Sequence, residues 1–244
     1  MDLSSMIEQH QQPLGFAYSA VSLDQLDSTE YTLVQVVMDV SGSVSPYAND
    51  LLKLKATVID ACNRSPRADY MLIRMVEFNQ NLTEVHPFLP LPTIDTTRYT
   101  LPNTSGSTAL YDATFSAIHA ANDYAKKLAD KRYLVNAITF VITDGDDNAS
   151  SSTCNQIKQE IQQAISGEVL ESNRTVLIGV NPRKDPRLTS YLERFAKDVG
   201  FDQFEDMNDA SPASLAKLAQ FVSRSISSQS QALGTGGPSQ LLSF

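Results

Sequence analysis

The run Tyr31–Met38 is mostly β-branched or bulky and apolar on both faces, and it stops at an acid, Asp39. A strand with so little polar face must be covered on both sides, which places it in the centre of a parallel sheet with helices above and below. Ligands of open α/β sheets bind beyond the carboxyl ends of the strands. The run continues there as Asp39-Val40-Ser41-Gly42-Ser43, so an acid and two hydroxyls arrive at that end together. Oxygen-only donors suit a hard cation, Mg²⁺ first, with Mn²⁺ or Ca²⁺ as rivals. The competing reading makes Ser43 or Ser45 the N-cap of a helix that begins near Pro46.

Further along, Val135–Thr143 reads as the neighbouring central strand, and it too ends in an acid, within Asp144-Gly145-Asp146-Asp147-Asn148. Between the two strands, Asn103-Thr104-Ser105-Gly106-Ser107-Thr108 is a hydroxyl-rich turn ahead of a helix over 109–131, where Ser107 or Thr108 has its own reading as a cap. Two strand ends and one hydroxyl loop thus converge. Taken singly, Asp144 is a turn residue of an Asp-Gly pair, while Asp146, Asp147 and Asn148 read as a solvated loop and the start of the helix that follows, with a second cation site there as the alternative.

The intervening pattern is strand and helix in alternation. Apolar positions at helical spacing predict a helix over 46–63, followed by a strand over 69–78. Asn79-Gln80-Asn81 is too short for a parallel crossover, so 82–88 returns antiparallel at the sheet edge, with His86 as an exposed strand residue. Residues 89–107, with Pro90, Pro92 and Pro102, read as a long surface loop. Helices over 152–166, 186–199 and 211–227 alternate with strands over 175–180 and 203–206. The fold class is therefore α/β, a doubly wound, Rossmann-like, mostly parallel sheet with one antiparallel edge strand and helices on both faces. The predicted organisation is an N-terminal extension over 1–28, a domain over 29–227, and a flexible Ser/Gln/Gly-rich tail over 228–244. The extension reads as a short helix and an edge segment, or as a partly mobile stretch. The apolar end of the tail, Leu241 to Phe244, reads as a frayed terminus or a segment that docks on a neighbouring subunit.

Acidic residues outnumber basic ones by 28 to 19, and small basic groups such as Arg183, Lys184 and Arg187 form no stripe, which argues against a nucleic-acid partner. Cys62 and Cys154 fit a reducing compartment better than a disulfide scaffold, with Cys62 acting as a small helical hydrophobe. No apolar run approaches the length of a membrane span, and the N-terminus lacks the pattern of a secretory leader. The expectation is a cytoplasmic protein that does not engage membranes.

From Tyr31 to Ser227 the chain resembles the von Willebrand factor type A (vWA) domain family. Three pieces carry the resemblance in order: Asp39-x-Ser41-x-Ser43, Thr108 within Gly-Ser-Thr-Ala-Leu-Tyr-Asp-Ala, and Asp144 within Ile-Thr-Asp-Gly. They match the family's metal-ion-dependent adhesion site, with Gly106-Ser107-Thr108 standing where Gly-Gly-Thr is frequent. The resemblance implies that Ser41, Ser43 and Thr108 ligate a cation directly and that Asp39 and Asp144 act through water. A last coordination position is left for a partner's Asp or Glu. Neutral ligands leave the cation enough charge to attract that carboxylate. Asp112, one turn past Thr108, is assigned to orienting the loop or capping rather than to direct ligation.

Three functions are compatible with this pattern. The first is a non-enzymatic, metal-dependent protein-binding module, which the resemblance associates with AAA+ ATPases as separate partners, since the chain has no P-loop of its own. The second is an assembly subunit whose site is filled by a neighbouring copy, giving a homo-oligomer. A metal-assisted phosphatase using Asp39 as nucleophile is the third. It lacks the second acid two residues on, and no Gly-x-Ser-x-Gly elbow replaces it.

Overall fold

A computed structural model describes residues 6–166, 169–181, 184–207, 209–237, 240 and 242–244. Residues 1–5 of the N-terminal extension, Arg183 and Leu241 lie outside the described residues. The chain opens with the strands β1 (Ile7–Gln11), β2 (Ala17–Val21) and β3 (Glu30–Asp39). Helix α1 (Ala48–Cys62) leads to β4 (Met71–Phe78) and β5 (Leu82–Pro90), and α2 (Leu110–Asp130) to β6 (Leu134–Thr143). The rest alternates: α3 (Cys154–Ser166), β7 (Ser172–Val180), α4 (Pro186–Val199), β8 (Gln203–Met207) and α5 (Pro212–Thr235).

Among the described residues, eight strands join one sheet in the order β1-β2-β5-β4-β3-β6-β7-β8. From β4 to β8 the pairing is parallel throughout, and β5 runs antiparallel to β4. This is the doubly wound, mostly parallel architecture expected. The alternation of β3 explains why both faces are covered. Val34, Val36 and Met38 pack with Leu54, Val58, Leu218 and Val222 of α1 and α5. Val37 packs on the opposite face with Leu110, Ala113, Ile157 and Leu192 of α2, α3 and α4. Full burial of such side chains contributes about 1.5–3 kcal/mol each, enough to fix the helices on the sheet without help from local propensity. Cys62 is fully buried in α1, where burial pushes its thiol up to about 12.

Three expectations need correction. The run 82–90 is antiparallel but not outermost: the N-terminal extension forms the hairpin β1–β2 and continues the sheet beyond β5 through a single bridge, Ala20 to Phe88. The hairpin is anchored by Tyr18, whose hydroxyl donates to Asp123 Oδ2 at 2.6 Å, and by Gln12, which clasps Ser116 of α2 through both ends of its amide. His86 is likewise buried rather than exposed, its ring stacked on Tyr99 with centroids 6.0 Å apart. The segment after β5 folds back over it, and burial lowers its pKa below the usual imidazole range.

The third correction concerns the Ser/Gln-rich stretch after Ser227, which continues α5 to Thr235 before Gly236 ends the helix in the left-handed region (φ 64°). Gln229 is 1 % exposed, and its Nε2 donates to Ala137 O at 3.0 Å and Ser172 Oγ at 2.8 Å. These bonds satisfy the buried amide and bind the last turns to the sheet. The chain end packs on its own fold, with Leu242 O accepting from Gln203 Nε2 at 2.8 Å and Phe244 edge-on to Phe221 at 5.4 Å. Among the described residues no helix is long and apolar enough to cross a membrane.

Candidate metal centre

Because β3 and β6 are adjacent and parallel, Asp39 and Asp144 leave the sheet side by side at its carboxyl end. Asp39 is 2 % exposed. Its Oδ1 accepts the Ser41 N–H at 2.8 Å and its Oδ2 accepts the Thr143 hydroxyl at 2.6 Å, so the two strand ends are stitched through its carboxylate. Burial raises its pKa, while the hydrogen bonds from Thr143 and Ser41 oppose that rise. No ion pair among the described residues includes Asp39.

The two serines lie next to it. Ser41 Oγ and Ser43 Oγ are 3.1 Å apart, and Ser43 Oγ donates to Asp144 Oδ1 at 2.6 Å. This separates the two roles considered for Ser43. Helix α1 takes Tyr47 as its N-cap with no side-chain bond, and Ser45 Oγ donates to Gly42 O at 2.9 Å, so neither serine caps that helix.

The hydroxyl loop closes the third side. Gly42 N–H donates to Gly106 O at 3.2 Å and Ser105 N–H to Val40 O at 3.1 Å, pinning the loop to the end of β3. Gly106 has φ 81°, and a Cβ there would lie 1.7 Å from Gln80 Oε1, the atom that accepts the Ser107 N–H at 3.0 Å. The positive φ favours glycine at this position, and a side chain there would also push the Gln80 amide away from the Ser107 N–H. Thr108 is 4 % exposed, and a Cβ on Gly145 would sit 3.3 Å from Thr108 Oγ1, which places that hydroxyl against the Asp144 loop. Ala109 is the N-cap of α2 and carries no side-chain bond, so the capping role assigned as an alternative to Ser107 or Thr108 is not used.

All five residues singled out by the sequence, Asp39, Ser41, Ser43, Thr108 and Asp144, therefore meet at one end of the sheet. Asp112 receives the N–H groups of Ser151 at 3.1 Å and Ser152 at 2.7 Å, which holds the loop ahead of α3. Two contributors were not assigned to the site from the sequence. Thr143 supplies a hydrogen bond to Asp39, and its position just before Asp144 was the available signal. Asn148 pairs with the Thr108 backbone, for which the sequence carries no signal. Among the described residues no group of three or more His, Cys, Asp or Glu is placed to hold a metal, so a cation here would depend on hydroxyls. The donor set suits a hard cation, and the buried, uncompensated Asp39 is the observation that agrees with one.

Beside the cluster lies a cavity of about 240 Å³ whose walls include Ser43, Pro46, Asp144, Asp146 and Asn181.

No protein-family model matches the chain, and no curated protein matches it in sequence. Solved structures do match in shape. The PilB minor pilin from Streptococcus sanguinis aligns at TM-score 0.59 and 15% identity, over 92% of this chain and 67% of the pilin. The pilus adhesin SpaC from Lactobacillus rhamnosus GG, in its open conformation, gives TM-score 0.59 at 11% identity, over 91% of this chain and 32% of the adhesin. Proximal thread matrix protein 1 from the mussel byssus gives 0.53 at 17%, over 84% of this chain and 47% of that protein. At these identities the likeness shows the fold alone.

Proposed function

We propose that this chain is a metal-dependent protein-binding module that captures an Asp or Glu of its partner at the carboxyl end of the sheet. Ser41, Ser43 and Thr108 would hold a divalent cation, Mg²⁺ or Mn²⁺, with Asp39 and Asp144 one water away, in the manner of the vWA adhesion site. The observation that carries this is the meeting of three separate loops around a buried carboxylate that has only neutral donors. A bound cation supplies the attraction for the incoming carboxylate. The chain's own residues orient the donors and keep both acids hydrogen-bonded, so that neither blunts the charge. The adjoining cavity leaves room for the partner's side chain. The partner in this proposal is another protein, a AAA+ ATPase being the kind the resemblance suggests, met in the cytoplasm.

Calorimetric titration of metal-free protein with Mg²⁺ and Mn²⁺, with light scattering on the same samples, tests the reading. One-to-one binding by a monomer, abolished in Asp39→Ala, is the expected result. No heat from a folded monomer would sink it. Metal-dependent self-association would transfer the proposal to an assembly subunit filled by its own neighbour.

A further inference from the structure

We infer that Asn148 is a positioning residue for the third hydroxyl, fixing Thr108 through its backbone; this rests on the metal reading above. Thr108 lies in an irregular loop, just ahead of Ala109, the N-cap of α2, so no helical bond fixes its N–H, and the way its side chain leaves the backbone follows its φ and ψ. Both polar groups of its backbone go to one residue. The Thr108 N–H donates to Asn148 Oδ1 at 2.8 Å, and Thr108 O accepts the Asn148 N–H at 3.0 Å. Such a two-point clasp removes the rotation that a single bond would permit.

The origin of the clasp matters as much as its form. Asn148 lies four residues after Asp144 on the same loop, so the segment that delivers the second acid also sets the third hydroxyl. That segment is itself held from two sides. Asp147 Oδ1 accepts the Tyr111 N–H at 3.1 Å, and the Asp147 N–H donates to Tyr191 Oη at 3.1 Å. Tyr191 Oη then donates to Tyr111 Oη at 2.8 Å, joining α4 to the first turn of α2. Shortening the side chain at 148 would leave the Thr108 N–H as a buried donor without its acceptor and free the peptide to turn. Aspartate at 148 keeps an acceptor in the same place.

The test compares wild type, Asn148→Ala, Asn148→Ser and Asn148→Asp. Mn²⁺ affinity is read by calorimetry, the melting temperature of each metal-free protein by scanning calorimetry, and amide exchange at Thr108 by NMR. Loss of an outer contact of this kind typically lowers metal affinity about 10- to 100-fold. That loss is expected in the alanine and serine variants, with faster exchange at Thr108, while aspartate restores both. The serine variant decides the matter if alanine does not fold. Unchanged Mn²⁺ affinity in folded Ala and Ser variants, with only a lower melting temperature, would overturn the positioning role and leave the metal reading standing. A wild type that binds no Mn²⁺ would overturn both.

Discussion

Two polar clusters are buried in this sheet, and they treat charge in opposite ways. In the middle, Arg74 on β4 is 1 % exposed, yet its Nε donates to Glu84 Oε1 at 2.6 Å and its Nη1 to Gln35 Oε1 at 2.9 Å. Burial pulls its pKa down and Glu84 opposes that shift. Lys55 on α1 is equally enclosed, and its Nζ reaches Glu77 Oε1 at 2.5 Å and Thr100 O at 3.1 Å. At the carboxyl end, Asp39 is as deeply buried and its donors are neutral, among them the Ser41 N–H and the Thr143 hydroxyl. Arg74 and Lys55 are each given the opposite charge. Asp39, like Asp112 beside the loop ahead of α3, is given neutral donors instead; at the carboxyl end of the sheet, among the hydroxyls of Ser41, Ser43 and Thr108, that arrangement suits a counter-charge from outside.

The largest effect should come from removing a partner in the first cluster. Arg74→Ala strands Glu84 and Gln35, and loss of one half of a buried pair costs about 3–5 kcal/mol. The lower end is expected, because the Glu84 side chain is 24% exposed and can rehydrate. Urea unfolding measures it. A loss below about 1 kcal/mol would mean that the mid-sheet pair is not the compensated charge it resembles, and the contrast with Asp39 would weaken.

A smaller loss is expected where the loop geometry of the second cluster is set. Gly106→Ala must adopt φ 81° and displace Gln80, giving up the acceptor of the Ser107 N–H. Such strain costs about 1–3 kcal/mol. Because the same loop delivers Thr108, Mg²⁺ affinity should fall as well. Equal stability in calorimetry, or reduced stability with undiminished affinity, would show that the loop's shape is not coupled to the site.

The contrast also explains what was legible in the sequence. The site residues could be read because the strand-end acids and hydroxyls are local signals: Asp39 and Asp144 each follow an apolar run directly, and Ser41 and Ser43 lie two and four residues on. From β3 onward, helix and strand order was legible for the same reason, through short-range periodicity, whereas the β1–β2 hairpin was not. What escaped depends on partners far away in the chain. His86 looks like a solvent residue until Tyr99 folds over it, and nothing near Glu84 in sequence announces the ion pair it makes with Arg74. The stretch 228–235 has a linker's composition, yet Gln229 is satisfied by Ala137 and Ser172, more than fifty residues upstream. Asn148 belongs to this class too, since nothing in Asp-Asp-Asn announces a bond to Thr108.

The smallest expected change in stability is the one that separates the clusters most sharply. Asp39→Asn keeps an acceptor for the Ser41 N–H, and the Thr143 hydroxyl can turn to accept from the new amide. The substitution also removes a buried charge whose ionised form is disfavoured by burial, as its raised pKa records. Metal-free protein should therefore lose no more than about 0.5 kcal/mol, or gain slightly. Added Mg²⁺ should divide the two proteins, stabilising wild type by about 2.7 kcal/mol at a hundred times its dissociation constant and the variant not at all. Denaturant unfolding with and without Mg²⁺ gives all four values. If Asp39→Asn costs metal-free protein several kcal/mol, as is expected of Arg74→Ala, the carboxylate belongs to the framework of the sheet. If it costs almost nothing and abolishes the Mg²⁺ effect, the acid at the end of β3 is kept for a ligand.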